Sequence, residues 1–175
     1  MHRIKIHQGK LARLNVDAIV NPLSSDKALE ADSNLGSTLR GALRSTLRST
    51  LRSTLRSTLE IPQAGNLRVM PASADTTSAI IEAIGPIWRG GDYQEEEQLA
   101  SCYKKAMDMA KQQNFRSIAF TPISCSAMGF PANRATKIAI QQVNLALRDN
   151  PLIEAVIFCC FDPVTTALYR SQVGR

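Results

Sequence analysis

Two periods of hydrophobic and polar residues alternate along this chain. Residues 3–7, "RIKIH", change polarity at every step, which predicts a half-buried strand. The short apolar run 17–21, "DAIVN", predicts a buried strand that Pro22 ends. "NLRVMPA" at 66–72 and "SAIIEAIG" at 78–85 predict two more strands. The apolar runs 117–124 and 154–161 complete the set as buried strands. Between them the period lengthens to that of a helix. Residues 94–114 carry acids at the start and lysines further on, as a helix dipole favours. Further helices are predicted over 131–148, with Pro131 suited to the first turn, and over 163–172. Residues 37–59 also read as a helix.

Buried strands alternating with amphipathic helices predict an α/β fold, with helices on both faces of the sheet. Ligands of such folds bind at the carboxyl ends of the strands. The loops that matter are therefore 21–37, 85–93, 124–131 and 161–163.

Length adds one constraint: 175 residues suit a single domain. The net charge is +6, but five positive charges lie between Arg40 and Arg56, so charge is a local feature. Cys102, Cys125, Cys159 and Cys160 form no CxxC pair or Cys/His cluster, so no metal is expected. Cys159 and Cys160 are adjacent in a strand and point to opposite faces, which predicts core thiols rather than a disulfide. Reduced thiols, with no apolar leader or spanning segment, predict a cytoplasmic protein.

Four segments in order resemble the macrodomain family. They are "IHQGKLARLNVDAIVN", "IGPIWRGG", "RSIAFTPISCSAMGFP" and "EAVIFCCFD". The resemblance implies one domain over 1–175, a three-layer α/β/α sandwich with a mixed sheet. It also implies binding of ADP-ribose or an ADP-ribosylated protein, with no further cofactor; some family members hydrolyse such linkages. The site residues it implies are Asn21, Ser24, Gly36 and Arg40, the loop Ser124, Cys125, Ser126, Ala127, Met128, Gly129 and Phe130, and Phe161, which would stack beside the adenine or ribose.

This sequence departs from the family pattern at the positions that carry chemistry. The acid that meets the adenine amino group is Lys10, which has no acceptor. The second Asn of the ribose segment falls on Ser24, and the catalytic acid falls on Arg40. Activating water beside a ribose needs an acceptor, and a guanidinium only donates. In the phosphate loop a glycine becomes Ser126 and an aromatic becomes Met128. The expectation is a ligand-binding macrodomain whose hydrolase activity is weak or lost.

The tetrapeptide "LRST" occurs four times over 43–58, in place of a family helix of similar length. Arg44, Arg48, Arg52 and Arg56 admit two readings. One is an anion-binding ladder for nucleic acid. The other is low-complexity filler on a surface helix. A four-residue step overshoots a helical turn by about 40°, so neither the arginines nor the leucines keep to one face. An alternative function is therefore a non-catalytic interaction module that has lost its ligand. Cys125 lies in the ligand loop, but His2 and His7 are the only histidines and belong to the first strand region, so no base for a nucleophilic thiol is in view. Trp88 reads equally as a packing residue or a base-stacking one.

Overall fold

The computed structural model describes residues 3–9, 11, 14–24, 64–65, 67–70, 79–125 and 128–173. Six strands form one sheet: β1 (Ile4–Gln8), β2 (Ala18–Ser24), β3 (Leu67–Met70), β4 (Ala79–Gly85), β5 (Ser117–Phe120) and β6 (Ala155–Cys160). Their order is β1-β6-β5-β2-β4-β3. The first five in that order run parallel, and β3 pairs antiparallel with β4 at the edge. The sheet is mixed, as expected.

Three helices are described: α1 (Glu95–Gln112), α2 (Ala132–Asp149) and α3 (Pro163–Val173). They pack side by side on one face. α1 lies against β3 and β4, α3 lies against β1 and β6, and α2 sits between the two. Strand alternation supplies the core beneath them. Val20, Ile81, Phe120 and Phe158 point to this face and meet Leu99, Met107, Val143 and Tyr169. Aromatic rings bind the centre together: Phe120 lies 5.6 Å from Phe158, which lies 4.6 Å from Tyr169. On the opposite face, Ala119 and Cys159 join Leu11 and Val16 of the β1–β2 connection in a second cluster. Cys160 belongs to the first cluster and Cys159 to the second, and all four cysteines are free. Strands buried on both faces explain why the sequence shows continuous apolar runs at β5 and β6. Among the described residues no helix is long and apolar enough to cross a membrane.

The structure corrects two strand boundaries. Pro22 does not end β2, which runs on to Ser24 beside β4. The reason lies in which neighbour each residue faces. The Asp17 carbonyl accepts from Ala79 on the β4 side, and the Val20 carbonyl accepts from Thr121 on the β5 side. Pro22 has the parity of Val20, so it faces the β5 side. There β5 has already stopped at Phe120, and the missing N–H of Pro22 costs no ladder bond. The other correction is to the predicted strand 117–124, of which only 117–120 is strand. Residues 121–124 are apolar or buried because they seat a loop. The predicted helix at 37–59 lies outside the described residues.

Candidate functional site

The chain steps outward from β2 to β4, then returns across β2 to place β5 on its other side. The switch point of the sheet therefore lies between the carboxyl ends of β2 and β5. Asn21–Ser24 end one of these strands, and the segment from Thr121 to Cys125 continues from the other.

The second segment opens a tightly tied loop. The N–H of Thr121 donates to the Val20 carbonyl at 3.2 Å, the last tie to β2. The chain then turns away, and the Ile123 N–H donates to the Tyr103 hydroxyl at 3.2 Å. Ser124 is left-handed at φ 63° and Gly129 at φ 68°. The Phe130 N–H donates to the Ser124 carbonyl at 3.2 Å, which closes the neck of the loop. The Trp88 N–H donates to the Met128 carbonyl at 2.9 Å, which ties it to the loop after β4. Inside the neck the Ser124 hydroxyl meets the Met128 sulfur at 3.3 Å. A left-handed residue next to a right-handed one is one half of an anion-binding nest, and Ser124 and Gly129 each supply a left-handed half. A serine at that conformation stores roughly 1–2 kcal/mol of strain.

Gly85 ends β4 against this neck. A Cβ there would overlap the Ser124 hydroxyl and stand 2.8 Å from Ile123 Cγ2 and 3.2 Å from Met128 Sδ. The glycine is required by close approach.

The ring of Phe130 is 2% exposed and lies 4.7 Å from that of Trp88, with Arg134 above the indole at 5.6 Å. Trp88 is thus a packing residue here, and the Phe130 N–H closes the loop neck on the Ser124 carbonyl. Met128 is buried as well. Phe161 follows β6 outside the strand and keeps 37% of its surface exposed. The Gly9 N–H donates to the Cys160 carbonyl at 3.1 Å, so the residues after β1 flank Phe161. Asn21 is half-buried in β2, and its Oδ1 is buried with no hydrogen-bond partner among the described residues. Ser24 is placed by its backbone at the end of β2, opposite Gly85.

Cys125 is half-buried beside the main core. Burial, and then the Asp162 carboxylate, push its thiol up to about 12. Such a thiol is not a nucleophile near neutral pH. Among the described residues no group of three or more His, Cys, Asp or Glu side chains is placed to hold a metal ion. Gly36, Arg40, Arg44, Arg48, Arg52, Arg56, Ser126 and Ala127 lie outside the described residues.

Three residues that support the site escaped the sequence reading. Glu95 does more than start a helix. Its buried carboxylate accepts the N–H groups of Arg89, Gly91 and Tyr93 at 2.9, 3.1 and 2.7 Å, which folds the 86–94 loop onto α1. Tyr103 and Gly85 hold the neck of the ligand loop. A glycine at a strand end is a visible signal for close approach. Nothing in the local sequence marks Tyr103.

The comparisons with known proteins agree with this geometry. The Macro domain family model matches residues 25–139. A macro domain-containing protein of Mesorhizobium japonicum is 34% identical over 99% of this chain and 95% of its own length. An O-acetyl-ADP-ribose deacetylase of Salmonella newport is 33% identical over 95% of this chain and 92% of its own. Among solved structures, the Trypanosoma brucei macrodomain in complex with ADP-ribose superposes with a TM-score of 0.80 at 24% identity, covering 98% of this chain and 69% of that one. The fold is that of the macrodomain α/β/α sandwich. On the family match, the near full-length relatives and the shared fold, this chain belongs to the macrodomain family.

Proposed function

We propose that this protein binds ADP-ribose, free or on a modified protein, or a related nucleoside diphosphate, in the cleft between β2 and β5. The observation that carries the reading is the loop neck formed by 121–125 and 128–130. Left-handed Ser124 and Gly129 stand at either end of a loop tied by Ser124–Phe130 and Met128–Trp88 hydrogen bonds, at a switch in strand order. A pyrophosphate is the ligand group that the backbone donors of such a loop suit. Ribose hydroxyls would satisfy the buried Asn21 Oδ1, which otherwise has no donor among the described residues. The exposed ring of Phe161 offers a face for the base or the ribose. Relatives support the ligand class: one is an O-acetyl-ADP-ribose deacetylase, and a structural neighbour is bound to ADP-ribose.

Binding outlasts turnover in this reading. Ser24 and Arg40 stand where the family resemblance implies an amide and a catalytic acid, and Arg40 brings no acceptor to activate water. The deacetylase relatives favour the opposite outcome, a surviving esterase. Calorimetric titration with ADP-ribose tests the binding. The expected result is saturable heat, and no heat at millimolar ligand sinks the proposal. Incubation with O-acetyl-ADP-ribose and with an ADP-ribosylated protein then tests turnover. Rates like those of a deacetylase relative assayed in parallel would overturn the second part of the reading.

A further inference from the structure

Beneath the ligand loop lie two buried hydroxyls that take no part in the binding described above. Tyr103 on α1 and Tyr169 on α3 are both fully buried, with their oxygens 3.4 Å apart. The Tyr103 oxygen also accepts the N–H of Ile123 at 3.2 Å. One residue earlier on α1, the Cys102 thiol donates to the Ile84 carbonyl at 3.3 Å. Consecutive residues of one helix thus grip the carboxyl ends of the two strands that flank β2.

The bond to Ile123 replaces a rung of the sheet. In a parallel ladder that continued past Phe120, the N–H of residue 123 would donate to the carbonyl of residue 22, as the N–H of Thr121 donates to Val20. Tyr103 takes that donor instead. The loop leaves β2 at this residue, and the left-handed turn at Ser124 follows at once. The phenol is fully buried among apolar rings, with Phe120 at 5.2 Å and Phe158 at 6.3 Å, so an unpaired donor there is costly.

We propose that Tyr103 is a positioning residue of the binding site: by accepting the Ile123 N–H, its hydroxyl holds the start of the loop, Thr121–Cys125, off β2 in the shape that receives the ligand. Tyr169 steadies the Tyr103 hydroxyl. The ligand readout of this inference rests on the ADP-ribose reading above.

Two substitutions separate positioning from packing. Tyr169→Phe leaves the Ile123 acceptor in place, so it lowers the melting temperature while ADP-ribose affinity stays at the wild-type value. Tyr103→Phe lowers the melting temperature and also weakens Kd about tenfold, because a buried N–H without an acceptor moves the loop to find one. Amide hydrogen exchange gives a readout that needs no ligand. In the wild type Ile123 exchanges slowly, in Tyr103→Phe it exchanges fast, and in Tyr169→Phe it stays slow. Equal effects of the two substitutions on Kd and on Ile123 exchange would overturn the proposal. Fast exchange at Ile123 in the wild type would overturn it without any variant. If the wild type gives no heat with ADP-ribose, the reading under Proposed function fails, and the exchange pattern still decides the role of Tyr103.

Discussion

Gly85→Ala tests the seating of the ligand loop with a single methyl group. The glycine is buried and has no left-handed backbone, so the substitution strains no dihedral. Its whole effect is the collision of one Cβ with the Ser124 hydroxyl, with Ile123 Cγ2 at 2.8 Å and with Met128 Sδ at 3.2 Å. Overpacking of this kind costs about 1–3 kcal/mol. For a chain of this size each kcal/mol lowers the melting temperature by about 2–4 °C, so a fall of roughly 2–12 °C is expected. Met128 can swing its thioether aside, but Ile123 and Ser124 are held by the Tyr103 and Phe130 bonds. The neck must therefore shift, and ADP-ribose affinity should fall with stability.

The cycle with Ser124→Gly makes this quantitative. That substitution alone relieves left-handed strain of about 1–2 kcal/mol while it loosens the unfolded chain by about 0.5–1 kcal/mol, so its net effect is small. In the double variant the clash with the hydroxyl is gone, and about half of the Gly85→Ala loss should return. Melting by circular dichroism and titration calorimetry on the four proteins give both readouts. A Gly85→Ala protein that melts within about 1 °C of wild type would refute the close approach. Strict additivity of the two substitutions would refute the role assigned to Ser124.

Other expectations follow from the hydrogen bonds. The Arg3 guanidinium caps the end of α2 through the carbonyls of Leu147, Asn150 (2.9 Å) and Ile153 (3.1 Å), so Arg3→Met should cost about 1.5–3 kcal/mol in denaturant unfolding and leave Kd for ADP-ribose unchanged. Glu95 titrates below the usual glutamate range: burial pulls it up, and the N–H groups of Arg89, Tyr93 and Gly91 together more than reverse that. Its stabilising effect is complete above the ordinary value of about 4.3 and is lost as pH falls through the lowered one. Melting curves of Glu95→Gln and wild type should accordingly draw together at acid pH, and a constant gap down to full protonation would contradict the assignment. Cys125, held near 12, should resist iodoacetamide in the native protein at pH 8, whereas rapid labelling of that residue, mapped by mass spectrometry, would contradict its burial.

Much of this architecture can be read from the chain because parallel strands buried on both faces leave unbroken apolar runs. β4, β5 and β6 each begin within a residue of where their runs begin. The errors came from the same signal. The run that starts at Ser117 does not stop at Phe120, because Ile123 is buried under α1 and looks like more strand. Pro22 misled because a rule about proline in sheets assumes partners on both sides, while β2 has one there. At the site, the serine–glycine pattern marked the loop that follows β5. It did not show which serine is left-handed, since that depends on ties to Trp88 and Phe130 that close only in three dimensions. Glu95 and Tyr103 went unread for a related reason: each acts on backbone donors of another segment, and an isolated helix pattern carries no trace of them.

The proline in β2 has a consequence for the end of the β2–β5 ladder. Two neighbouring parallel strands that diverge are a zipper with its slider partway, and the teeth that would close it are backbone N–H groups. The next tooth past the Thr121–Val20 bond would run from the N–H of residue 22 to the carbonyl of Thr121. Proline has no N–H to give. Pro22 is thus a stop on the zipper, and the groove between β2 and β5 stays parted at that rung without a ligand to prop it.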